Sequence, residues 1–522
     1  MTSPRLGSEH ERLLKKLVLA TFRRTAVPGG VVQLVGPDGP KLTVEYGGLG
    51  ANDPVILGST SKSLTAALLL QLAEEGTIDL NTPITQYLPQ AGVPQDVTVV
   101  DLAHHCSGLA TDATPGHMRL ARGRAFRYAN QNYNLLGQVI EATLGVSFSG
   151  ALQQRILTPL AMADSTVENR CPETAHPAMS PRSEADCGPK RADSCGISTP
   201  APSARQRSAE RGVSATKASR AHRSFLPSPR EPVGHVSIFG FPLPVRDFPA
   251  GAHSWIQAPS GATYASAADA GRFLSMLLNG GAANGQRFLS PTALHRMLHD
   301  VVPADGSPAV TGVLGESGEY GFGWIRKRFR DQWVHLHVGK VPGSTTVFVL
   351  LPALQLGFAL LVNIGDFLVR QPLVERLADN IVRVLVGAPP LPIPNQWSRQ
   401  VLLNATYIAL VGGAAAGARA LPKRTAAKLT YHALLPASLA AGVRKLSATP
   451  WPWLLRFVPE AAAVLGAGAA ASGISGILAL IPGSSSALKS GASSKLGTDS
   501  CRYTASRTGT HPSHNTSGEG TP

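Results

Sequence analysis

Cysteine is scarce in this chain of 522 residues, and its few copies form no functional pattern. The five cysteines are an odd number, none belongs to a C-x-x-C pair, and no histidine spacing beside them indicates a zinc site. The sequence therefore predicts neither a disulfide framework nor a metal centre.

The N-terminus shows no secretion signal. Its apolar run, Leu17–Phe22, is shorter than the hydrophobic part of a signal peptide and is followed directly by Arg23 and Arg24. A targeting signal is therefore not predicted for this chain.

Acidic residues are few in some parts of the chain, which gives a net charge of +15 that is unevenly spread. Residues 1–169 carry 13 basic and 14 acidic residues, whereas residues 396–482 carry eight basic residues and one acidic residue. A nucleic-acid-binding domain would concentrate positive charge on its folded surface. The distribution favours membrane-flanking or disordered segments, and no nucleic acid partner is expected.

Secondary-structure patterns predict an α+β fold. Short β-prone runs over 30–35 and 42–46 flank the turn signal Gly36-Pro37-Asp38-Gly39 and indicate a hairpin. Helices are predicted over 61–75, where Gly76 would end the helix, and over 134–143 and 267–278. Further β-rich runs follow at 345–351 and 357–362. This order predicts that N- and C-terminal strands share one antiparallel sheet and that the middle forms a helical lobe.

Composition divides the chain further. Residues 170–231 are rich in Ser, Pro, Arg, Ala and Gly and hold too few large apolar residues to offset the entropy of ordering, which indicates a disordered basic insert. A basic docking segment is the alternative reading of that insert. The predicted organisation is an N-terminal segment (1–25), a domain in two parts (26–169 and 232–388), the insert (170–231), an apolar region (396–482) and a disordered tail (483–522).

Long apolar runs within residues 396–482 predict two or three transmembrane helices. They cover 401–418 and 458–481, with a shorter run over 429–443. Small residues four positions apart, such as Gly412 and Ala416, would let such helices pack closely. The alternative is a soluble, alanine-rich helical hairpin, since Ala and Gly add little insertion energy.

The pattern Ser59-Thr60-Ser61-Lys62 carries chemistry. It places a hydroxyl and an amine one helical turn apart at the start of a predicted helix, where developing negative charge is favoured. A lysine can activate a serine if burial keeps part of it neutral. S-x-x-K alone is weak evidence, because it also occurs at 214–217 and 486–489, where no folded site is expected.

Two more motifs follow Ser59 in order. Tyr128-Ala129-Asn130 is the only Y-x-N in the chain, and His337-Val338-Gly339 is the only H-x-G. With these three motifs the chain resembles the serine β-lactamase-related family, closest to class C β-lactamases and D-alanyl-D-alanine carboxypeptidases. The resemblance covers about residues 26–386 without the insert. Secondary landmarks that also look like that family lie at 102–109, 128–137, 266–273 and 320–324.

The resemblance implies a role for each motif residue. Ser59 would be acylated, Lys62 would accept its proton, and Tyr128 would relay protons to the leaving group and the deacylating water. Asn130 would bind a substrate amide. His337 and Gly339 would belong to the substrate-binding third motif, and the backbone N–H groups of Ser59 and Lys340 would form the oxyanion hole. No cofactor is implied, because side chains and backbone N–H groups suffice for this chemistry.

The expected function is a membrane-associated serine hydrolase of the penicillin-binding type, acting on a peptide, ester or lactam carbonyl. His337 replaces a lysine of the K-T-G form, and a neutral imidazole would hold a substrate carboxylate less strongly. The alternative is a non-catalytic membrane binding protein that keeps the fold.

Localisation is the least settled expectation. Basic loop residues lean only slightly toward an extracytoplasmic catalytic domain, yet no export signal is visible. Three explanations of this disagreement stay open from the sequence: the protein starts upstream of Met1, the domain faces the cytoplasm, or the apolar runs are not transmembrane.

Overall fold

The computed structural model describes residues 7–109, 125–167, 234–245 and 256–420, together with residues 460, 463 and 464. The chain divides into two compact units, the first made of residues 1–408 and 444–463. The site and the elements below belong to this first unit, apart from residues 409–420 at the end of α10.

Ten α-helices occur in these residues. They are α1 (Ser8–Thr25), α2 (Ser61–Glu74), α3 (Ile84–Tyr87), α4 (Val99–Ala103), α5 (Asn130–Leu144), α6 (Phe148–Leu152), α7 (Ala267–Leu278), α8 (Pro291–His299), α9 (Arg370–Leu385) and α10 (Gln396–Ala420). A short 3-10 helix, Gly58–Thr60, leads directly into α2, and a π-helical turn, Gln153–Leu157, follows α6.

Eight strands form the main antiparallel sheet of the described residues. In spatial order they are β10 (Val302–Pro303), β11 (Glu319–Gly321), β12 (Trp324–Phe329), β13 (Gln332–Val341), β14 (Ser344–Leu351), β15 (Leu356–Val362), β1 (Gly29–Gly36) and β2 (Gly39–Gly47). Because β15 pairs with β1, strands from both ends of the domain share the sheet, as the sequence predicted.

Shorter strands form three small sheets. The three-stranded ones join β16 (Ile364–Gly365) with β5 (Gly234–Ile238) and β6 (Phe241–Val245), and β3 (Val55–Ile56) with β7 (Thr263–Ala265) and β4 (Thr166–Val167). The two-stranded sheet pairs β8 (Ala282–Ala283) with β9 (Gln286–Arg287).

Helices cover both faces of the main sheet, which is why β1, β14 and β15 are buried along their whole length. On one face α1 packs against α9 and contributes Leu14, Val18 and Phe22 to the core. On the other face α7 packs on β1 and β15, and the helical lobe lies beyond it. Burial of this apolar surface is the main stabilising contribution to the fold.

The predicted hairpin, the three predicted helices and the two predicted C-terminal strands are all present. The helix predicted over 134–143 is longer, because α5 begins at Asn130. Helix α2 is buried on nearly all sides, Lys62 included, since the sheet and the lobe both pack on it. Gly76 follows its end with φ +71°, the left-handed conformation that glycine adopts readily.

Several sequence predictions lie outside the described residues, namely the insert (170–231), the tail (483–522), the apolar run over 429–443 and nearly all of that over 458–481. The run over 401–418 lies within α10. Among the described residues no single helix meets the length and hydropathy expected of a membrane span, and one bent pair, Asn130–Leu144 with Phe148–Leu157, meets them only in combination.

Candidate active site

Ser59 lies in the 3-10 turn before α2 and is half-exposed, whereas the residues on either side of it are buried. Hydroxyl groups from neighbouring elements hold this turn in place. Thr346 Oγ1 on β14 donates to the Leu57 carbonyl at 2.5 Å, and Thr60 Oγ1 donates to the same carbonyl at 2.9 Å. The Ser59 hydroxyl is thereby presented to solvent from a rigid support.

Lys62 lies one helical turn after Ser59 and is fully buried. Its Nζ donates to Ser59 Oγ at 3.1 Å, to Asn130 Oδ1 at 2.8 Å and to the Ser260 carbonyl at 2.6 Å. Burial holds the pKa of Lys62 well below its usual value, because the ammonium has lost its water. A larger neutral fraction can then accept a proton from Ser59.

The second motif lies beside Lys62 and Ser59. The Tyr128 phenol lies close enough to the Ser59 side chain to interact with it, and burial raises the pKa of Tyr128 above its usual value, so the phenol stays protonated at neutral pH. Lys62 Nζ lies 5.0 Å from the centre of the Tyr128 ring. Asn130 begins α5 and is half-exposed. Its amide oxygen is occupied by Lys62, which leaves its NH2 group for a substrate.

The third motif approaches the serine turn through its backbone. A Cβ on Gly339 would lie 1.9 Å from the Leu57 carbonyl oxygen, so only glycine fits there. Gly58, at φ +58°, has the Lys340 backbone nitrogen 2.8 Å from the position of its missing Cβ. The two close approaches bring the backbone of Lys340 next to that of Ser59. The Lys340 ammonium instead pairs with Glu375 on α9 at 2.8 Å.

His337 is buried, and both of its ring nitrogens have protein partners. Nδ1 lies 3.2 Å from the Val338 carbonyl, and Nε2 lies 3.2 Å from the Tyr320 hydroxyl. Since a carbonyl only accepts, the proton belongs on Nδ1 and Tyr320 donates to Nε2. Burial, together with the nearby Lys62, lowers the pKa of His337 to about 3. The ring therefore supplies no positive charge to the site at neutral pH.

Sequence reasoning missed the side chains that support this group. His105 is buried, and its ring centre lies 4.4 Å from that of Tyr128 and 4.9 Å from that of Tyr320. Its Nδ1 accepts a hydrogen bond from Asn132 Nδ2 at 2.9 Å. The Ser260 carbonyl, which binds Lys62, was also not foreseen. His105 falls within the landmark 102–109, but the sequence assigned it no role, and no motif marks Ser260; only the fold brings both residues near Ser59.

Within the ranges that the structure describes, no group of three or more His, Cys, Asp or Glu side chains is arranged to hold a metal ion. The site consists of a hydroxyl, an amine, a phenol, an amide and backbone N–H groups. Such a set can transfer protons and stabilise an oxyanion without further groups.

Acid should destabilise the fold through two buried histidines on β13. Burial lowers the pKa of His335 and of His337 to about 3, against 6.5 for the free side chain. Between these values the unfolded chain binds protons that the folded chain does not. The stability that these two neutral histidines contribute is therefore fully present above pH 6.5. As the pH drops from 6.5 toward 3, the free energy of unfolding falls by about 1.4 kcal/mol per pH unit for each histidine.

Urea unfolding at a series of pH values measures this slope. His335→Leu should make it shallower, whereas His10→Asn on the exposed side of α1 should not change it. An identical slope in wild type and His335→Leu would contradict the assignment.

Removing the Tyr320 hydroxyl should destabilise the protein. In Tyr320→Phe the buried Nε2 of His337 loses its donor, and an unsatisfied buried acceptor costs about 1–3 kcal/mol. Tyr46→Phe, at a half-exposed position on β2, is the matched control and should stay close to wild type. Urea midpoints of the three proteins give the comparison, and equal midpoints for Tyr320→Phe and wild type would refute the role of this hydrogen bond.

The main sheet is antiparallel, eight-stranded and covered by helices, and a serine at the start of a helix lies beside a buried lysine. These features define the class of serine hydrolases that includes penicillin-binding proteins. The chain belongs to the Beta-lactamase family, whose model matches residues 14–382. That match begins within α1, which packs in the core of the domain.

Two relatives illustrate the sequence similarity. "Protein flp" of Staphylococcus aureus (strain N315) is 22% identical over 208 residues, which are 34% of this chain and 42% of that protein. "Penicillin-binding protein 4" of Amycolatopsis lactamdurans is 32% identical over 131 residues, 21% of this chain and 34% of that protein. The chain thus matches less than half the length of each relative.

Solved structures share the fold. An octameric penicillin-binding protein homologue from Pyrococcus abyssi has a TM-score of 0.52 at 18% identity and covers 73% of this chain and 79% of its own. D-amino acid amidase from Ochrobactrum anthropi SV3, complexed with D-phenylalanine, has a TM-score of 0.51 at 18% identity, and the match covers 73% of this chain and 100% of the amidase. D-alanine carboxypeptidase AmpC from Burkholderia cenocepacia has a TM-score of 0.51 at 17% identity, and the match covers 73% of this chain and 99% of the carboxypeptidase.

Proposed function

We propose that this protein is a serine hydrolase that forms an acyl-enzyme at Ser59 on an amide, ester or lactam carbonyl. The observation that carries the proposal is the 3.1 Å contact between Lys62 Nζ and Ser59 Oγ at a lysine whose pKa burial lowers. A buried amine with a proton-accepting fraction, next to a half-exposed hydroxyl, is the arrangement that nucleophilic catalysis needs.

The proposed reaction uses these contacts. Lys62 takes the Ser59 proton while Oγ bonds to the carbonyl carbon, and the backbone N–H groups of Ser59 and Lys340 stabilise the resulting oxyanion. As the bond to the leaving group breaks, a proton returns to that group through Tyr128, whose phenol interacts with the Ser59 side chain. Water then attacks the ester, passes a proton back by the same route and releases Ser59.

The charges favour substrates without a carboxylate next to the scissile bond. His337 is neutral, and the Lys340 ammonium is paired with Glu375, so the third motif offers no free cation. Amides and esters of a small amino acid or peptide suit this site better than a free C-terminal carboxylate does. The carboxypeptidase activity of some structural neighbours is therefore the less favoured form of the proposal.

Steady-state hydrolysis by the purified full chain tests both points. N-acetyl-D-alanyl-D-alanine, its methyl ester and its amide share the same D-alanyl-D-alanine peptide bond and differ in whether the C-terminus is charged, so cleavage of that shared bond is the quantity measured. The ester and amide should give the higher kcat/KM, and Ser59→Ala should reduce each rate to the uncatalysed level. Binding without turnover of any compound, with equal affinity in Ser59→Ala, would instead support the non-catalytic binding protein.

Membrane association stays part of the proposal. It is supported by the apolar run over 401–418 and by the excess of basic residues in 396–482. The side of the membrane on which the catalytic domain lies also stays a prediction. Protease digestion of sealed vesicles that carry the full chain distinguishes the two sides.

A further inference from the structure

The exposed apolar side chains of the described residues are concentrated in one place. Eleven large apolar residues are exposed, and seven of them lie on the β5–β6 hairpin and the start of α10. These seven, called the apolar face below, are Phe239, Phe241, Leu243, Trp397, Val401, Leu402 and Ile408. A concentration of this kind marks an interaction surface, whereas single exposed apolar residues do not.

The first three turns of α10 bury polar side chains and expose apolar ones, which is the reverse of a helix on the surface of a water-soluble domain. Gln396 and Gln400 point into the protein and are 0% and 1% exposed. On the opposite side Leu402 is 70% and Ile408 is 74% exposed. A helix in water buries its apolar side, so this arrangement fits a surrounding that is itself apolar.

The hairpin is fixed to this helix and to the domain. Asn404 Nδ2 donates to the Phe239 carbonyl at 3.4 Å, and the rings of Phe239 and Tyr407 are 6.2 Å apart. The buried Arg370 donates to Ser237 Oγ at 3.0 Å and to the Gly240 carbonyl at 2.8 Å. The two elements therefore present their apolar residues as one surface.

Two prolines indicate which occupant fits this surface. Strand β6 is an edge strand with the sequence Phe-Pro-Leu-Pro-Val, and Pro242 and Pro244 have no N–H to donate. A partner strand would need those donors to extend the sheet, so pairing with a second copy is disfavoured. Lipid needs no hydrogen bonds from the protein. Residues 396–482 also carry eight basic residues and one acidic residue, which suits anionic headgroups.

We propose that the apolar face rests in the interfacial layer of a lipid bilayer containing anionic lipids, whether or not any segment crosses it. The hairpin lies next to the site, because the His235 backbone N–H donates to the carbonyl of Gly343, three residues after Lys340. The bilayer contact therefore orients the opening at Ser59 close to the membrane surface.

A fluorophore at position 241 tests the proposal. An environment-sensitive dye is attached to Phe241→Cys or, as the matched control, to Val146→Cys, another exposed apolar position away from the face. The full chain is used, with serine replacing the four cysteines other than the buried Cys106. Each protein is mixed with phosphatidylcholine and phosphatidylglycerol vesicles, with and without a bilayer-embedded quencher. Circular dichroism and a cooperative urea transition confirm that both variants are folded.

Emission from position 241 should move to shorter wavelength on vesicles and be quenched, while position 146 should show neither change. Equal behaviour of the two positions would overturn the proposal, as would failure of the chain to bind these vesicles. A shift at position 241 without lipid, together with a doubled mass in solution, would identify a second copy as the occupant and also overturn it. None of these outcomes depends on whether Ser59 turns over a substrate.

Discussion

Replacing Lys62 with methionine is expected to slow acylation of Ser59 by about 100- to 10,000-fold, the usual contribution of a positioned general base. Methionine keeps the length and apolar stem of lysine but cannot accept a proton. It also leaves Asn130 Oδ1 and the Ser260 carbonyl without their donor, so part of the loss comes from a less ordered site.

The matched control for this change is Lys327→Met. Lys327 is also buried, and it donates to the Gly315 carbonyl at 2.6 Å, outside the site. Both variants lose a buried ammonium, but only one loses the base. Single-turnover acylation by a chromogenic ester gives the comparison. If Lys327→Met were slowed as much as Lys62→Met, burial rather than proton transfer would explain the effect.

The Gly339→Ala variant should lose both acylation and stability. Its new Cβ would lie 1.9 Å from the Leu57 carbonyl oxygen and 2.2 Å from Thr346 Oγ1. The first atom belongs to the backbone and the second is held by its hydrogen bond to that same carbonyl, so β13 must move away from the serine turn. Overpacking costs about 1–3 kcal/mol. Displacing an oxyanion-hole donor lowers the rate by about 100- to 1,000-fold.

Gly48→Ala controls for the general effect of replacing a glycine, because nothing lies within 4 Å of a Cβ at that position. It should acylate like the wild type. The decisive quantity is the acylation rate of folded protein, measured beside the urea midpoint. A Gly339→Ala protein that acylates at the wild-type rate would show that the close approach of β13 does not shape the site.

The sequence predicts the elements that carry the site because their signals are local. Apolar periodicity and a terminal glycine delimit α2, and β-prone runs around a four-residue turn delimit β1 and β2. The order of Ser59, Tyr128 and His337 along the chain indicates the family, and the order of predicted strands and helices indicates the sheet that joins both ends of the domain.

The parts that the sequence did not predict depend on contacts between distant residues. The ring of His105 meets Tyr128, and the carbonyl of Ser260 meets Lys62, only after the lobe has packed on the sheet. The β5–β6 hairpin was missed because its second strand contains two prolines, which local rules assign to loops and edges. The contacts of the His337 ring with Tyr320 and the Val338 carbonyl were also not predicted, and the substrate-binding role of His337 stays a prediction.

The central claim is that Ser59 is the nucleophile, and mapping of a covalent adduct tests it most directly. The purified chain is treated with a fluorophosphonate or a labelled β-lactam, and the intact mass and the modified peptide are determined. Ser61→Ala is the matched control, since Ser61 is two residues away and fully buried. One adduct on the Ser59 peptide is predicted for the wild type and for Ser61→Ala, and none for Ser59→Ala. An unmodified wild-type protein, or the same adduct on Ser59→Ala, would contradict the account.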